Sequence, residues 1–117
     1  GLDQNPIVTV WTALDDAVPE NGCMQIVPGS NNLGILNPGH YVSEEDQEKH
    51  ATVDKITHLG AEAGEAILLH NWLMHRSGVN KTDSPRRALS VAYMDAETKK
   101  MRNGQTFPVV FGENALS

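Results

Sequence analysis

The sequence predicts an all-β sandwich or barrel, and three observations lead there. Its apolar residues gather in short β-branched or alternating runs, the loops between them are of uneven length, and one stretch alone carries the signature of a helix.

The first run is Ile7 to Leu14, with Ile7, Thr9, Trp11 and Ala13 on one side and Val8, Val10, Thr12 and Leu14 on the other. It reads as a strand buried on both faces. Residues 15–22 combine Asp15 and Asp16 with Pro19 and Asn21-Gly22, the composition of a connecting loop that ends in a turn. Cys23 to Val27 supplies a second strand, and Pro28-Gly29-Ser30 stops it, because proline cannot donate to a ladder. Residues 31–58 form a variable excursion of polar and charged composition. Inside it a short helix is expected from Ser43 to His50, with Ser43 as N-cap, Asp46 at the third helical position and Glu44 and Glu45 in the first turn. Long excursions in compact domains often act as lids or binding loops, so this segment is the candidate for substrate contact. Val53 to Leu59, Glu65 to His70 and Arg87 to Asp95 read as further strands, and Phe107 to Phe111 as a short apolar tail.

At 117 residues the chain holds a single domain, 1–117. Nine Lys plus Arg against fifteen Asp plus Glu leave a net charge of −6, which speaks against nucleic acid and for a small-molecule partner. No apolar run approaches the roughly 18 residues of a membrane span. Cys23 is the single cysteine, which rules out an intrachain disulfide and fits a reducing, cytoplasmic setting. Burial is the simpler role for it than reactivity. Residue 1 is Gly rather than Met and a strand follows within a few residues, so the chain is expected to start inside a longer protein or after processing.

His75 and Arg86 stand eleven residues apart across a polar segment. An imidazole nitrogen suits iron, zinc or copper, and a guanidinium fork matches a carboxylate with two parallel hydrogen bonds. The plainer alternative is that His75 ends a core strand and Arg86 is a solvated loop charge.

The flanks carry a resemblance. Val8 to Ala17, Glu20-Asn21-Gly22-Cys23-Met24, Val27-Pro28-Gly29-Ser30, Gly64 to His70, Leu73 to Asn80 and Pro85-Arg86-Arg87-Ala88 resemble, in order and spacing, motifs of the phytanoyl-CoA dioxygenase family. Each is weak alone, but in sequence along residues 7 to 95 they form a specific signal. The resemblance implies a double-stranded β-helix, the jelly-roll barrel of cupins, present here in part. It implies an Fe(II) and 2-oxoglutarate-dependent dioxygenase that hydroxylates a small organic substrate while 2-oxoglutarate becomes succinate and carbon dioxide. In that family a His-x-Asp pair and a distal histidine bind iron. His75 matches the distal histidine, Arg86 matches the arginine that binds the far carboxylate of 2-oxoglutarate, and Trp11 matches a tryptophan beside the co-substrate. For Trp11, a plain core role stays open.

Other candidates are weaker. His70 is taken as structural, because an odd separation from His75 would put the two on opposite faces of one strand. His40, His50 and His58 read as surface histidines, Asp15 and Asp16 as loop acids, Arg87 as outward-facing, and Ser77 and Asn80 as shaping the turn. No His-x-Asp occurs anywhere in the chain. These 117 residues alone are therefore expected to be inactive, with the missing pair upstream. A second expectation, from a different class, is a non-catalytic β-barrel module that covers its exposed edges by self-association into a homo-oligomer.

Overall fold

The structure is a computed structural model, and it describes residues 1–36 and 41–116. His40, read above as a surface histidine, lies outside the described residues. The described chain is mostly β. Six strands form two antiparallel three-stranded sheets, joined by one α-helix and three short 3-10 turns. The strands are β1 (Val8–Ala13), β2 (Met24–Ile26), β3 (Thr57–Leu59), β4 (Ala66–His70), β5 (His75–Ser77) and β6 (Ala88–Tyr93), and the helix is α1 (Glu44–His50). The arrangement is consistent with part of a cupin-like fold.

The larger sheet runs β4-β1-β6 and the smaller β3-β2-β5. In each, the strand that comes first in the chain takes the centre, and both central strands are free of charged residues, as suits a position paired on both sides. Register opposes Trp11 to Ile67 and Ser90, and Thr9 to Leu69 and Ala92. Because side chains alternate along a strand, Thr9, Trp11 and Ala13 share one face with Ile67, Leu69 and Ala88. This face meets the smaller sheet, and the core cluster of Trp11, Ala13, Cys23, Met24 and Leu69 lies between them.

The opposite face departs from expectation. A strand buried on both sides was predicted for residues 7–14, yet Val8 is 38% exposed and Leu68, its neighbour on that face, 73% exposed. Leu89, Val91 and Tyr93 of β6 are exposed there too. No described element covers this face, so half of the apolar pattern is left in solvent. The accessible area agrees: it is 8432 Å² against about 6300 Å² for a folded monomer of this size. The radius of gyration is 16.3 Å, where a compact domain of this length has about 13 Å.

Two further segments differ from their expected form. Val53–Lys55 is a 3-10 turn rather than the start of a strand, closed by the Lys55 amide donating to Thr52 O (2.9 Å), and pairing begins only at Thr57. Conversely, His75–Ser77, for which no separate strand was expected and whose Ser77 was read as shaping the turn, is itself a strand paired with β2. α1 follows its capping signal: the Ser43 hydroxyl accepts from the Asp46 amide at 3.1 Å. No helix among the described residues is long and apolar enough to cross a membrane.

Candidate active site

β5 carries His75 opposite Ile26 of β2, on the face that also bears Met24 and Ser77. The His75 ring is exposed, and its Nδ1 lies 2.7 Å from the carbonyl oxygen of Leu73. A carbonyl only accepts, so Nδ1 carries the proton, and neutral His75 keeps the lone pair on Nε2. A backbone carbonyl fixing the second ring nitrogen is the usual support of a metal-binding histidine.

Trp11, Thr9 and Leu69 of the larger sheet and His75 and Ser77 of the smaller line a common cavity of about 300 Å³. Asn71 adds its side chain: Thr9 Oγ1 donates to Asn71 Oδ1 at 2.6 Å, and Asn71 Nδ2 donates to Pro6 O at 2.8 Å. The lining thus mixes one large aromatic with several small polar groups. Trp11 itself is only 8% exposed and belongs to the core as well as to the cavity wall. Sequence reasoning missed Thr9 and Asn71, since their separation of 62 positions hides the contact until β1 pairs with β4.

Arg86 stands just before β6 and is not among the residues lining that cavity. Its Nε donates to Asn21 O at 3.3 Å, and it is half-buried. Asn21 is itself held firmly: its Oδ1 accepts from the Val18 amide (2.8 Å) and its Nδ2 donates to Asp16 O (2.7 Å). Gly22 follows at φ 83°, and a Cβ there would come within 2.5 Å of Gly78 O. The two loops thus touch backbone to backbone behind Arg86. Cys23 is buried beside it; burial pushes its thiol up, with the positive charge of Arg86 acting the other way. A raised thiol pKa fits a structural role.

Arg87 turns outward. Its guanidinium grips Asp15 through Nε (2.9 Å) and Nη2 (2.8 Å), and these bonds lower the Asp15 carboxyl from 3.8 to about 2. His70 and His75 lie on different strands in different sheets, separated by the turn at residues 71–74, so the opposite-face reasoning does not apply to them. His70 Nδ1 accepts from the Trp72 amide at 3.2 Å, and the two rings meet edge-on at 5.4 Å. Among the described residues no group of three His, Cys, Asp or Glu side chains could hold a metal ion.

Comparison with known proteins defines the class. The family model for phytanoyl-CoA dioxygenase (PhyH) matches residues 2–88. The chain belongs to the phytanoyl-CoA dioxygenase family. Among curated relatives, phytanoyl-CoA dioxygenase domain-containing protein 1 of Danio rerio is 31% identical over 99 residues, covering 78% of this chain and 34% of the relative. The peroxisomal phytanoyl-CoA dioxygenase of Homo sapiens is 33% identical over 103 residues, covering 78% of this chain and 29% of the relative. The chain therefore spans about a third of the length of the curated relatives it matches. Among solved structures, the non-heme alpha-ketoglutarate dependent epimerase SnoN of nogalamycin biosynthesis is 30% identical with a TM-score of 0.64, covering 83% of this chain and 35% of that one. The same epimerase in complex with Fe3+, alpha-ketoglutarate and nogalamycin RO matches at 26% identity and TM-score 0.62, covering 98% and 47%.

Proposed function

We propose that these residues form the C-terminal part of a non-haem iron(II), 2-oxoglutarate-dependent dioxygenase that hydroxylates a small organic substrate. One observation carries the reading: His75 and Trp11, both set in family motifs, line a single polar-edged cavity between the two sheets. The proposed architecture is a single domain, 1–117, that is part of a double-stranded β-helix. The SnoN complex supports the cofactor pair, since its iron and alpha-ketoglutarate belong to a chain of similar fold.

The described residues do not by themselves fit an iron site, because one imidazole stands where a facial site needs three ligands. The proposal is therefore that two further ligands come from the rest of the protein and that these residues alone are inactive. Bound iron with 2-oxoglutarate would let dioxygen act as the oxidant, one oxygen atom entering the succinate left when 2-oxoglutarate loses carbon dioxide and the other entering the hydroxylated product. Within this chain, His75 presents Nε2 in the tautomer set by Leu73 O, and Arg86 is assigned the far carboxylate of 2-oxoglutarate. Trp11 keeps water from one wall of the cavity. The test is succinate formation by the full-length protein with iron and 2-oxoglutarate across a broad substrate panel. Absence of both turnover and 2-oxoglutarate binding would sink the proposal.

The uncovered face of the larger sheet favours a second reading, a non-catalytic module that self-associates through that face. Sedimentation of the full-length protein separates the two, since a catalytic monomer would leave no role for such association. For location, the single cysteine supports a reducing, cytoplasmic compartment, while the human relative is named as peroxisomal. Imaging of the tagged full-length protein distinguishes these.

A further inference from the structure

A second cavity, of about 200 Å³, lies between the smaller sheet and the excursion that contains α1. Ile26, Val27, Val42, Ile56 and Met74 give it apolar walls. Gln25 and Arg76 of the sheet line it as well, with Gln47 on the α1 side. Arg76 follows His75 on β5, so the two side chains alternate in direction, and both residues border this cavity and the intersheet one.

Arg76 is not a loose surface cation. Register sets His58, Gln25 and Arg76 directly opposite one another across β3, β2 and β5. Arg76 Nε donates to Gln25 Oε1 at 2.7 Å, which fixes the amide with its nitrogen toward His58 Nε2 at 3.0 Å. That nitrogen donates, so His58 Nε2 accepts, and the three side chains form a row with one direction of hydrogen bonding. The row holds the guanidinium by its Nε edge, and among the described residues neither Nη group makes a hydrogen bond or ion pair. This is notable in a chain of net charge −6: among the described residues the sole ion pair is Arg87 with Asp15, and no carboxylate reaches Arg76. α1 carries Glu44, Glu45, Asp46 and Glu48, yet its residue at the cavity is the neutral Gln47.

A pre-oriented guanidinium fork at the edge of an apolar pocket matches an acid with a hydrocarbon body. We propose that this cavity is a binding site for a small apolar carboxylate, with Arg76 as its clamp and Gln25 as the residue that orients the clamp. The site is separate from the assignment of Arg86 to 2-oxoglutarate and does not rest on the iron reading.

The test uses the intact protein, metal-free and without 2-oxoglutarate, titrated with hexanoate and followed by amide NMR. Shifts are expected at Gln25, Val42, Ile56 and Arg76. Hexanamide, which keeps the chain and loses the charge, should bind about tenfold more weakly or worse, and Arg76→Gln should weaken hexanoate to the same degree. Lys81→Gln removes a cation away from the cavity and should leave the affinity within twofold, which separates a clamp from general attraction of anions. Inorganic phosphate reports whether the apolar walls contribute and should bind more weakly than hexanoate. The proposal is overturned if hexanoate shifts Thr9, Trp11 and Leu69 but not Val42 and Ile56, or if no saturable binding appears below about 10 mM. It is equally overturned if hexanamide or phosphate matches hexanoate, or if Arg76→Gln and Lys81→Gln behave alike.

Discussion

Asp15 and Arg87, 72 residues apart, are joined three times: the Asp15 carboxylate accepts from the Arg87 backbone amide at 2.7 Å and from its guanidinium Nε and Nη2 at 2.9 and 2.8 Å. Asp15 ends the segment after β1 and Arg87 begins the segment before β6, so the pair closes the end of the larger sheet. Leu14 N also donates to Arg87 O at 2.9 Å. With Arg87 turned outward by this grip, the alternation of the chain directs Arg86 to the other side, onto the Asn21 loop.

The pair predicts an acid limb in stability. Folding lowers the Asp15 carboxyl from 3.8 to about 2, so its contribution is complete above the unfolded value and is lost as pH falls from about 4 toward 2. Urea midpoints measured across that range should drop for the native chain, and Asp15→Asn should lack this part of the drop. Equal pH profiles for the two proteins would show that the pair does not couple to folding.

Gly22 and Gly78 predict a clash that can be measured apart from backbone preference. Gly22→Ala adds a left-handed penalty at φ 83° and a Cβ 2.5 Å from Gly78 O. A loss of about 2–4 kcal/mol is expected. Gly29→Ala, at φ 77° with nothing within 4 Å of the new Cβ, should lose only about 1 kcal/mol. Chemical denaturation of both variants reads the difference, and equal losses would mean that the two loops part easily.

Arg86 predicts a specific defect in co-substrate use. Arg86→Lys keeps the charge and loses the planar fork, so in the full-length protein the KM for 2-oxoglutarate should rise about tenfold or more. Thermal stability should change little, because among the described residues Arg86 makes one hydrogen bond, the 3.3 Å contact with Asn21 O. An unchanged KM would remove Arg86 from the co-substrate site.

His75 predicts loss of metal without loss of fold. The ring is exposed, so His75→Ala should stay within about 0.5 kcal/mol of the parent in stability. In the full-length protein the iron content after loading should collapse, as measured by plasma emission. Iron retained at the parent level would exclude His75 as a ligand.

Much of the architecture was legible in the sequence. Ser43 and Asp46 announced α1 to the residue because a cap is a local interaction between neighbours. β1, β2, β4 and β6 followed from β-branched runs whose pattern is also local. β5 escaped notice because His75-Arg76-Ser77 has no propensity of its own and becomes a strand only by lying beside β2. The exposed outer face of β1 was illegible for the opposite reason: its residues are apolar as if covered, and the pattern records a covering that the described residues do not supply. At the site, Trp11 and His75 shared a cavity that only tertiary pairing creates, and the row His58-Gln25-Arg76 depends on register, which no motif records.

The central place of β1 also sets a timetable. Val8 to Ala13, an uncharged and β-prone segment, is made before both of its partner strands, β4 and β6, which come from the second half of these 117 residues. Until Tyr93 has been made, the strand that will be flanked on both sides has at least one open edge. Contacts so distant in sequence make for slow folding, and an unpaired apolar strand that waits is a site for association between nascent chains. A charge introduced at Thr12, on the outer face, would test whether that interval rather than the final fold limits the yield of soluble protein.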